Sequence, residues 1–100
     1  LVISDEAYKE KYFWLSDQFR RALISISNNI AEGSGSYSDK DFANFLNIAK
    51  RLVYECASML YIFEMRKLIS KIDLEIYLDK FDKLSAQITN FRKTILRKIK

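Results

Sequence analysis

The chain has 100 residues, of which 49% are hydrophobic and 30% are charged, with two glycines and no proline. This composition excludes disordered, collagen-like and disulfide-rich proteins and favours uninterrupted helices. The single cysteine, Cys56, cannot form an internal disulfide, and charged residues interrupt every apolar stretch before it reaches the ~18 residues of a membrane-spanning helix. We therefore expect one cytoplasmic domain over residues 1–100 that does not span a membrane.

The net charge is +4, and the basic residues concentrate at the C-terminal end, where no acidic residue follows Asp82. Basic residues near a helix C-terminus complement the helix dipole and keep a chain soluble, but a basic surface also attracts polyanions. If nucleic acid binds, the predicted contact residues are Arg92, Lys93, Arg97, Lys98 and Lys100.

The first predicted helix spans residues 12–32. Apolar residues recur from Leu15 to Ile30 at steps of three and four, which is the period of an amphipathic helix. The run Gly33-Ser34-Gly35-Ser36 contains the only glycines of the chain, and glycine just past a helix is a common stop signal. This run is the clearest break in the sequence.

The second predicted helix spans residues 38–67. Ser38 followed by Asp41 resembles a capping box at its start. Apolar residues lie on more sides of this helix than one groove within the chain would cover; those off the main stripe are Ile48, Tyr54, Tyr61, Ile62 and Met65. Part of this surface is therefore expected to contact another subunit.

The third predicted helix spans residues 73–99, with Asp73 as its expected N-cap. Its apolar residues from Tyr77 to Ile95 alternate steps of four and three, the seam of a helical bundle. Long helices with short connections pack as bundles, most often of four helices. Because the chain begins abruptly at Leu1 and shows three helices, we predict an all-α, antiparallel up-and-down four-helix bundle whose first helix is missing or truncated here.

The residues that most chemistry requires are absent. There is no histidine, one cysteine and no glycine-rich phosphate loop, so neither a zinc site nor a nucleophile–base pair can be assembled. We expect no enzymatic activity, no metal and no cofactor. If Glu55 points inward from helix two, its charge needs a partner, and Arg20, Arg21 and Asn29 are the nearest candidates on helix one.

Two segments carry a resemblance to a known family. Gln18-Phe19-Arg20-Arg21-Ala22 is followed by Asn29-Ile30-Ala31-Glu32-Gly33, and the similarity continues through Asp41-Phe42 to Glu55. The chain resembles the four-helix-bundle proteins named for 23S rRNA intervening sequences. This resemblance makes Arg20, Arg21, Asn29, Glu32 and Glu55 the family's motif residues, which we interpret first as a structural polar network and second as binding residues.

The resemblance also implies a first helix that precedes Leu1 and a ring-shaped homopentamer. Related accessory proteins of diversity-generating retroelements bind a reverse transcriptase and nucleic acid through a basic surface. The leading hypothesis is therefore a non-enzymatic oligomeric scaffold that contacts RNA or DNA. The alternative is a protein-interaction module, such as an accessory subunit of a reverse transcriptase, in which Tyr37, Tyr54 and Tyr61 contact a partner protein.

Overall fold

The computed structural model describes residues 9–99, and their side chains from Tyr12 onward. This part of the chain contains three α-helices and no strand: α1 (Lys9–Ser34), α2 (Asp39–Met65) and α3 (Lys71–Leu96). The predicted all-helical class is confirmed, and each predicted helix end lies within three residues of the observed one. None of these three helices combines the length and the hydrophobicity that crossing a bilayer requires.

Helix α2 is the central element, and α1 and α3 pack on either side of it. Short connections make successive helices antiparallel, and the Cα atoms fill a volume of 52 × 23 × 14 Å. The Cα trace of one helix is only about 5 Å across, so an extent of 14 Å is too thick for a flat layer, and α1 and α3 form a curved layer around α2. Such a layer is compatible with a four-helix bundle in which a further helix covers the side where α1 and α3 approach each other.

The core is centred on Phe19 of α1, whose side chain is buried. Its ring meets the Phe63 ring of α2 edge-on with centroids 5.3 Å apart, and the Phe81 ring of α3 with centroids 6.4 Å apart. The α2 residues that are at most 1% exposed are Ala43, Leu46, Ala49, Val53, Cys56, Leu60 and Phe63. Burial of each large apolar side chain among them contributes about 1.5–3 kcal/mol, and the contacts that provide this energy are shared with α1 and α3.

The turn between α1 and α2 depends on Gly33 for close packing. A Cβ atom at this position would lie 2.7 Å from the Phe42 ring and 2.8 Å from the Phe45 Cβ. No described glycine has a positive φ, and α1 continues through Ser34. The predicted break at Gly33-Ser34-Gly35-Ser36 is confirmed, because α1 ends within it at Ser34. Gly33 itself lets α2 approach the end of α1 and does not end the helix by a left-handed turn.

The start of α2 is capped as the sequence predicts, because the Ser38 side chain accepts a hydrogen bond from the Asp41 N–H at 3.1 Å. The start of α3 is also capped, but by a different residue from the one predicted. Its N-cap is Ser70, whose side chain accepts a hydrogen bond from the Asp73 N–H at 3.0 Å, so the prediction of Asp73 as the N-cap is wrong. Both helices begin with a serine that is followed by an aspartate three residues later. The sequence pattern that predicts the cap of α2 therefore also predicts the cap of α3.

Candidate nucleic-acid interface

The basic residues of the candidate interface lie on the last turns of α3 and just after it. Lys93, Arg97 and Lys98 are exposed, whereas Lys100 lies outside the described residues. The exposed carbonyl groups at the end of α3 carry partial negative charge, which favours cations there. Three exposed positive charges within six residues nevertheless exceed the half charge of a helix terminus, so this surface can also attract an anion.

Arg92 differs from the other predicted contact residues because it is half-buried. Its Nε donates a hydrogen bond of 3.0 Å to the carbonyl oxygen of Ala43 in α2. The guanidinium group therefore joins the end of α3 to the start of α2. Arg92 is a contact between helices as well as a candidate for phosphate binding, and the sequence analysis did not anticipate this first role.

Acidic residues lie at the same end of the molecule as the basic cluster. The antiparallel order places the end of α1 and the start of α2 beside the end of α3, and these segments carry Glu32, Asp39 and Asp41. Asp39 and Asp41 complement the positive N-terminal end of the α2 dipole. The candidate interface is therefore a basic surface on α3 bounded by acidic residues, and it is not a uniformly basic end.

The two arginines of the family motif form ion pairs within α1. The Nε of Arg21 lies 2.9 Å from a carboxylate oxygen of Asp17, and the Nη1 of Arg20 lies 3.8 Å from the other oxygen. Asn29 donates a hydrogen bond of 2.8 Å to the carbonyl oxygen of Ser25. These contacts stabilise one helix locally, and exposed ion pairs of this kind contribute about 0.2–1 kcal/mol.

Glu55 is exposed, so the inward orientation that the sequence analysis considered is wrong. The buried stripe of α2 passes through Val53 and Cys56, which leaves Glu55 on the outer side. Glu55 and Arg21 line the same shallow outer groove between α1 and α2, but within residues 9–99 no hydrogen bond or ion pair joins Glu55 to α1. Glu32 is also exposed, so the structure does not bring the motif residues together as one buried network.

Cys56 is fully buried in the core of α2. Burial raises the pKa of its thiol to about 11, and the neighbouring Glu55 charge adds to this increase. The thiol is therefore buried and protonated at neutral pH, which makes it a poor nucleophile. Among the described residues no group of three or more histidine, cysteine, aspartate or glutamate side chains is placed to hold a metal ion.

The apolar surface predicted on α2 is exposed in the single chain. Ile48, Tyr54, Tyr61, Ile62 and Met65 are each more than 40% exposed, and Met65 reaches 76%. Tyr37, in the turn before α2, is fully exposed. Large apolar side chains gathered on one helix in this way are typical of a protein–protein contact surface.

The outer side of α2 and α3 also forms a groove, which the sequence analysis missed. Its volume is about 300 Å³, and its lining comprises Val53, Tyr54, Ala57, Tyr61, Leu78, Phe81, Asp82 and Ser85. The Ser85 hydroxyl donates to the Tyr54 hydroxyl oxygen at 3.4 Å, across the two helices. Only the pairing of α2 with α3 places these residues together, although their helical spacing puts each half on one helix face.

No curated protein and no solved structure shows significant similarity to the chain. One protein-family model does match, that of the 23S rRNA-intervening sequence protein, over residues 2–90. This match covers most of the sequence, including all of α1 and α2 and most of α3. The chain therefore belongs to the 23S rRNA-intervening sequence protein family.

Proposed function

We propose that this protein is a non-enzymatic, self-assembling helical scaffold of the cytoplasm that contacts RNA or DNA through the basic end of α3. The observation that carries the proposal is the exposure of Lys93, Arg97 and Lys98 on a segment without acidic residues. Arg92 and Lys100 extend the same segment in sequence. Cations at this spacing would bind phosphates irrespective of base sequence.

Family membership supports this proposal only indirectly. The family model matches residues 2–90, so the basic residues from Arg92 onward lie beyond the matched segment. The proposed binding therefore depends on the charge of this surface itself. The acidic boundary formed by Glu32, Asp39 and Asp41 restricts the anion to the α3 side of this end.

Self-assembly is supported by the apolar residues that a single chain leaves in water. The exposed residues of α2 lie outside the core, and α1 and α3 add Phe13, Ile24, Ile76 and Phe91. A 100-residue domain buries a limited fraction of its surface, so subunit contacts can add much of the missing apolar burial. A homopentamer, which the family resemblance implies, is the form that we propose.

Anisotropy of a labelled single-stranded RNA, titrated with protein across a salt series, tests nucleic-acid binding. The variant replaces Lys93, Arg97 and Lys98 with Gln. If each cation meets one phosphate, the slope of log K against log salt falls by about 2 for these three changes. The matched control replaces Lys67, Lys71 and Lys80 with Gln, which makes the same change in net charge elsewhere on the chain.

The proposal requires the control variant to bind as the unaltered protein does. Equal weakening by both variants would show that net charge alone determines binding, and absence of binding at low salt would reject nucleic-acid contact altogether. Circular dichroism of both variants verifies that their helices are intact. These charges are exposed, so both variants should retain the fold.

The second candidate function is a protein-interaction module, for example an accessory subunit of a reverse transcriptase. The observation that favours it is the exposure of Tyr37, Tyr54 and Tyr61, because tyrosine is enriched at the centres of protein interfaces. Pull-down from the native host with and without nuclease separates the two functions. A partner retained after nuclease treatment and lost when these tyrosines are changed to Ser supports the module, whereas association lost with nuclease supports the scaffold.

A further inference from the structure

The outer groove between α2 and α3, here called the aromatic groove, combines aromatic rings with a carboxylate. Tyr54 and Tyr61 come from α2, whereas Phe81 and Asp82 come from α3. The electron-rich faces of aromatic rings attract cations, and a carboxylate at the same site adds charge and hydrogen-bond acceptors. This set of side chains is suited to an organic cation.

Asp82 has no cation of its own among the described residues. Asp79, one turn earlier on α3, pairs with Lys83 at 3.0 Å. Within residues 9–99, in contrast, no lysine or arginine nitrogen lies within 4.0 Å of the Asp82 carboxylate. The negative charge beside the rings is therefore available to a ligand.

The Tyr54 ring already attracts one cation. The ammonium nitrogen of Lys50 lies 5.9 Å from the centroid of this ring. Lys50 does not line the groove, so it leaves the space beside Tyr61 and Asp82 open. The two hydroxyl groups of Tyr54 and Ser85, which contact each other at 3.4 Å, supply further hydrogen-bond acceptors at the groove.

We propose that the aromatic groove binds an arginine side chain of a partner polypeptide. A guanidinium group is planar, stacks on aromatic faces and is weakly hydrated, so it loses less than an ammonium group on entering a half-open apolar groove. Two of its five N–H donors can bond the Asp82 carboxylate, and others can bond the hydroxyl oxygens of Tyr54 and Ser85. The volume of about 300 Å³ is at the lower limit of ligand sites, which suits one side chain better than a larger molecule.

This inference is independent of the proposed nucleic-acid binding, because it uses an acidic groove on the α2–α3 face and not the basic end. The ligand proposed for the groove is a cation, whereas the ligand proposed for the basic end is an anion. The two proposals can therefore fail separately. The source of the guanidinium group is a polypeptide, since Tyr54 and Tyr61 are exposed in the single chain and can contact residues that flank the arginine. Self-assembly is proposed through Ile48, Ile62 and Met65, which do not line the groove.

Amide-resolved NMR titration tests the site with N-acetyl-arginine amide as the probe and N-acetyl-citrulline amide as its neutral isostere. The expected result is saturable, millimolar binding of the arginine probe with shifts centred on Tyr54, Tyr61 and Asp82. Asp82→Asn should weaken binding about ten-fold, the magnitude of a lost charged hydrogen bond. Asp79→Asn, which makes the same charge change one turn away, should bind as the unaltered protein does.

Equal binding of the citrulline probe, equal weakening by Asp79→Asn, or no saturable shift at tens of millimolar probe would each overturn the proposal. N-acetyl-lysine amide should bind more weakly than the arginine probe, and equal affinity would overturn the choice of guanidinium. An alanine pentapeptide with a central arginine, acetylated and amidated at its ends, should bind more tightly than N-acetyl-arginine amide, which carries the same charge. Equal affinity of these two would overturn a polypeptide as the source.

Discussion

At the scale of single residues, the structure explains two features that composition alone leaves open. Gly33 is buried against two phenylalanines of α2, where no side chain fits. Cys56 is the only cysteine, and it lies at the centre of the core with the properties of a small apolar residue. Both residues look chemically distinctive in the sequence, and the structure gives each of them a packing role.

Replacing Gly33 by Ala should destabilise the protein. The added Cβ would lie 2.7 Å from the Phe42 ring, so α2 must move away from the end of α1. Overpacking of this kind costs about 1–3 kcal/mol in the free energy of unfolding, which urea denaturation measures. Gly35→Ala is the control: its Cβ would meet only carbonyl oxygens at 3.9 Å, so stability should stay equal or increase slightly. Equal losses in both variants would contradict the packing role of Gly33.

The Cys56 thiol should make stability depend on alkaline pH. Its pKa is raised to about 11 in the folded protein from 9.0 in the unfolded chain, so folding opposes ionisation. The buried, protonated thiol therefore contributes fully to the free energy of unfolding below pH 9, and this contribution is lost as the pH rises from 9 to 11. Urea unfolding at pH 8 and at pH 11 should show a smaller loss of stability for Cys56→Ala than for the unaltered protein. An identical loss in both proteins would reject this role of the thiol.

At the scale of elements, the helices end and begin through local hydrogen bonds. Helix α2 ends in a Schellman motif, in which the Leu68 N–H donates to the Phe63 carbonyl oxygen at 2.8 Å and the Lys67 N–H donates to the Glu64 carbonyl oxygen at 2.9 Å. Leu68 is buried in the same core cluster as Phe63, which is the apolar contact that accompanies this motif. Lys67 takes the position that glycine usually occupies, with a φ of 60°.

Lys67→Gly should therefore stabilise the protein. A left-handed conformation costs an L-residue roughly 1–2 kcal/mol, and glycine avoids this cost while losing more entropy on folding. The expected net gain is about 0.5–1 kcal/mol in the free energy of unfolding, measured by thermal or urea denaturation. Arg66→Gly, with the same loss of charge at a φ of −85°, should lower stability instead. A gain in the Arg66 variant would show that charge, and not backbone conformation, is responsible.

At the scale of the whole molecule, the described helices form a layer and not a closed bundle. Helix α2 is covered on two sides, and its outer side keeps Ile62 and Met65 exposed. A second, partly covered surface is formed by half-buried apolar residues of α1 and α3 that pack against the core, which include Tyr12, Leu23, Ile30, Tyr77 and Leu84. Both surfaces are candidates for further burial. A fourth helix of the bundle would cover the half-buried surface of α1 and α3, and other subunits would cover the outer side of α2.

We expect sedimentation equilibrium to give a mass about five times the 11.8 kDa of one chain. Changing Ile62 and Met65 to Glu should dissociate the assembly and leave the helical circular dichroism of the monomer, because the new charges would have to be buried without partners. Gln87→Glu with Asn90→Glu is the control, since it adds equal charge at exposed polar positions of α3, away from the outer side of α2. A monomeric unaltered protein, or equal dissociation in the control, would exclude assembly through this surface.

The sequence by itself determined the three helices, because their apolar periodicity and the Ser38 cap are local signals read within one or two turns. The family motif was equally local. Only the tertiary structure decided what depends on contacts between helices: the packing role of Gly33, the hydrogen bond from Arg92 to Ala43, the exposed position of Glu55 and the groove that Asp82 joins. The physical reason is that periodicity identifies the face of a helix on which a residue lies, whereas the orientation of α2 between two neighbours determines which face is covered.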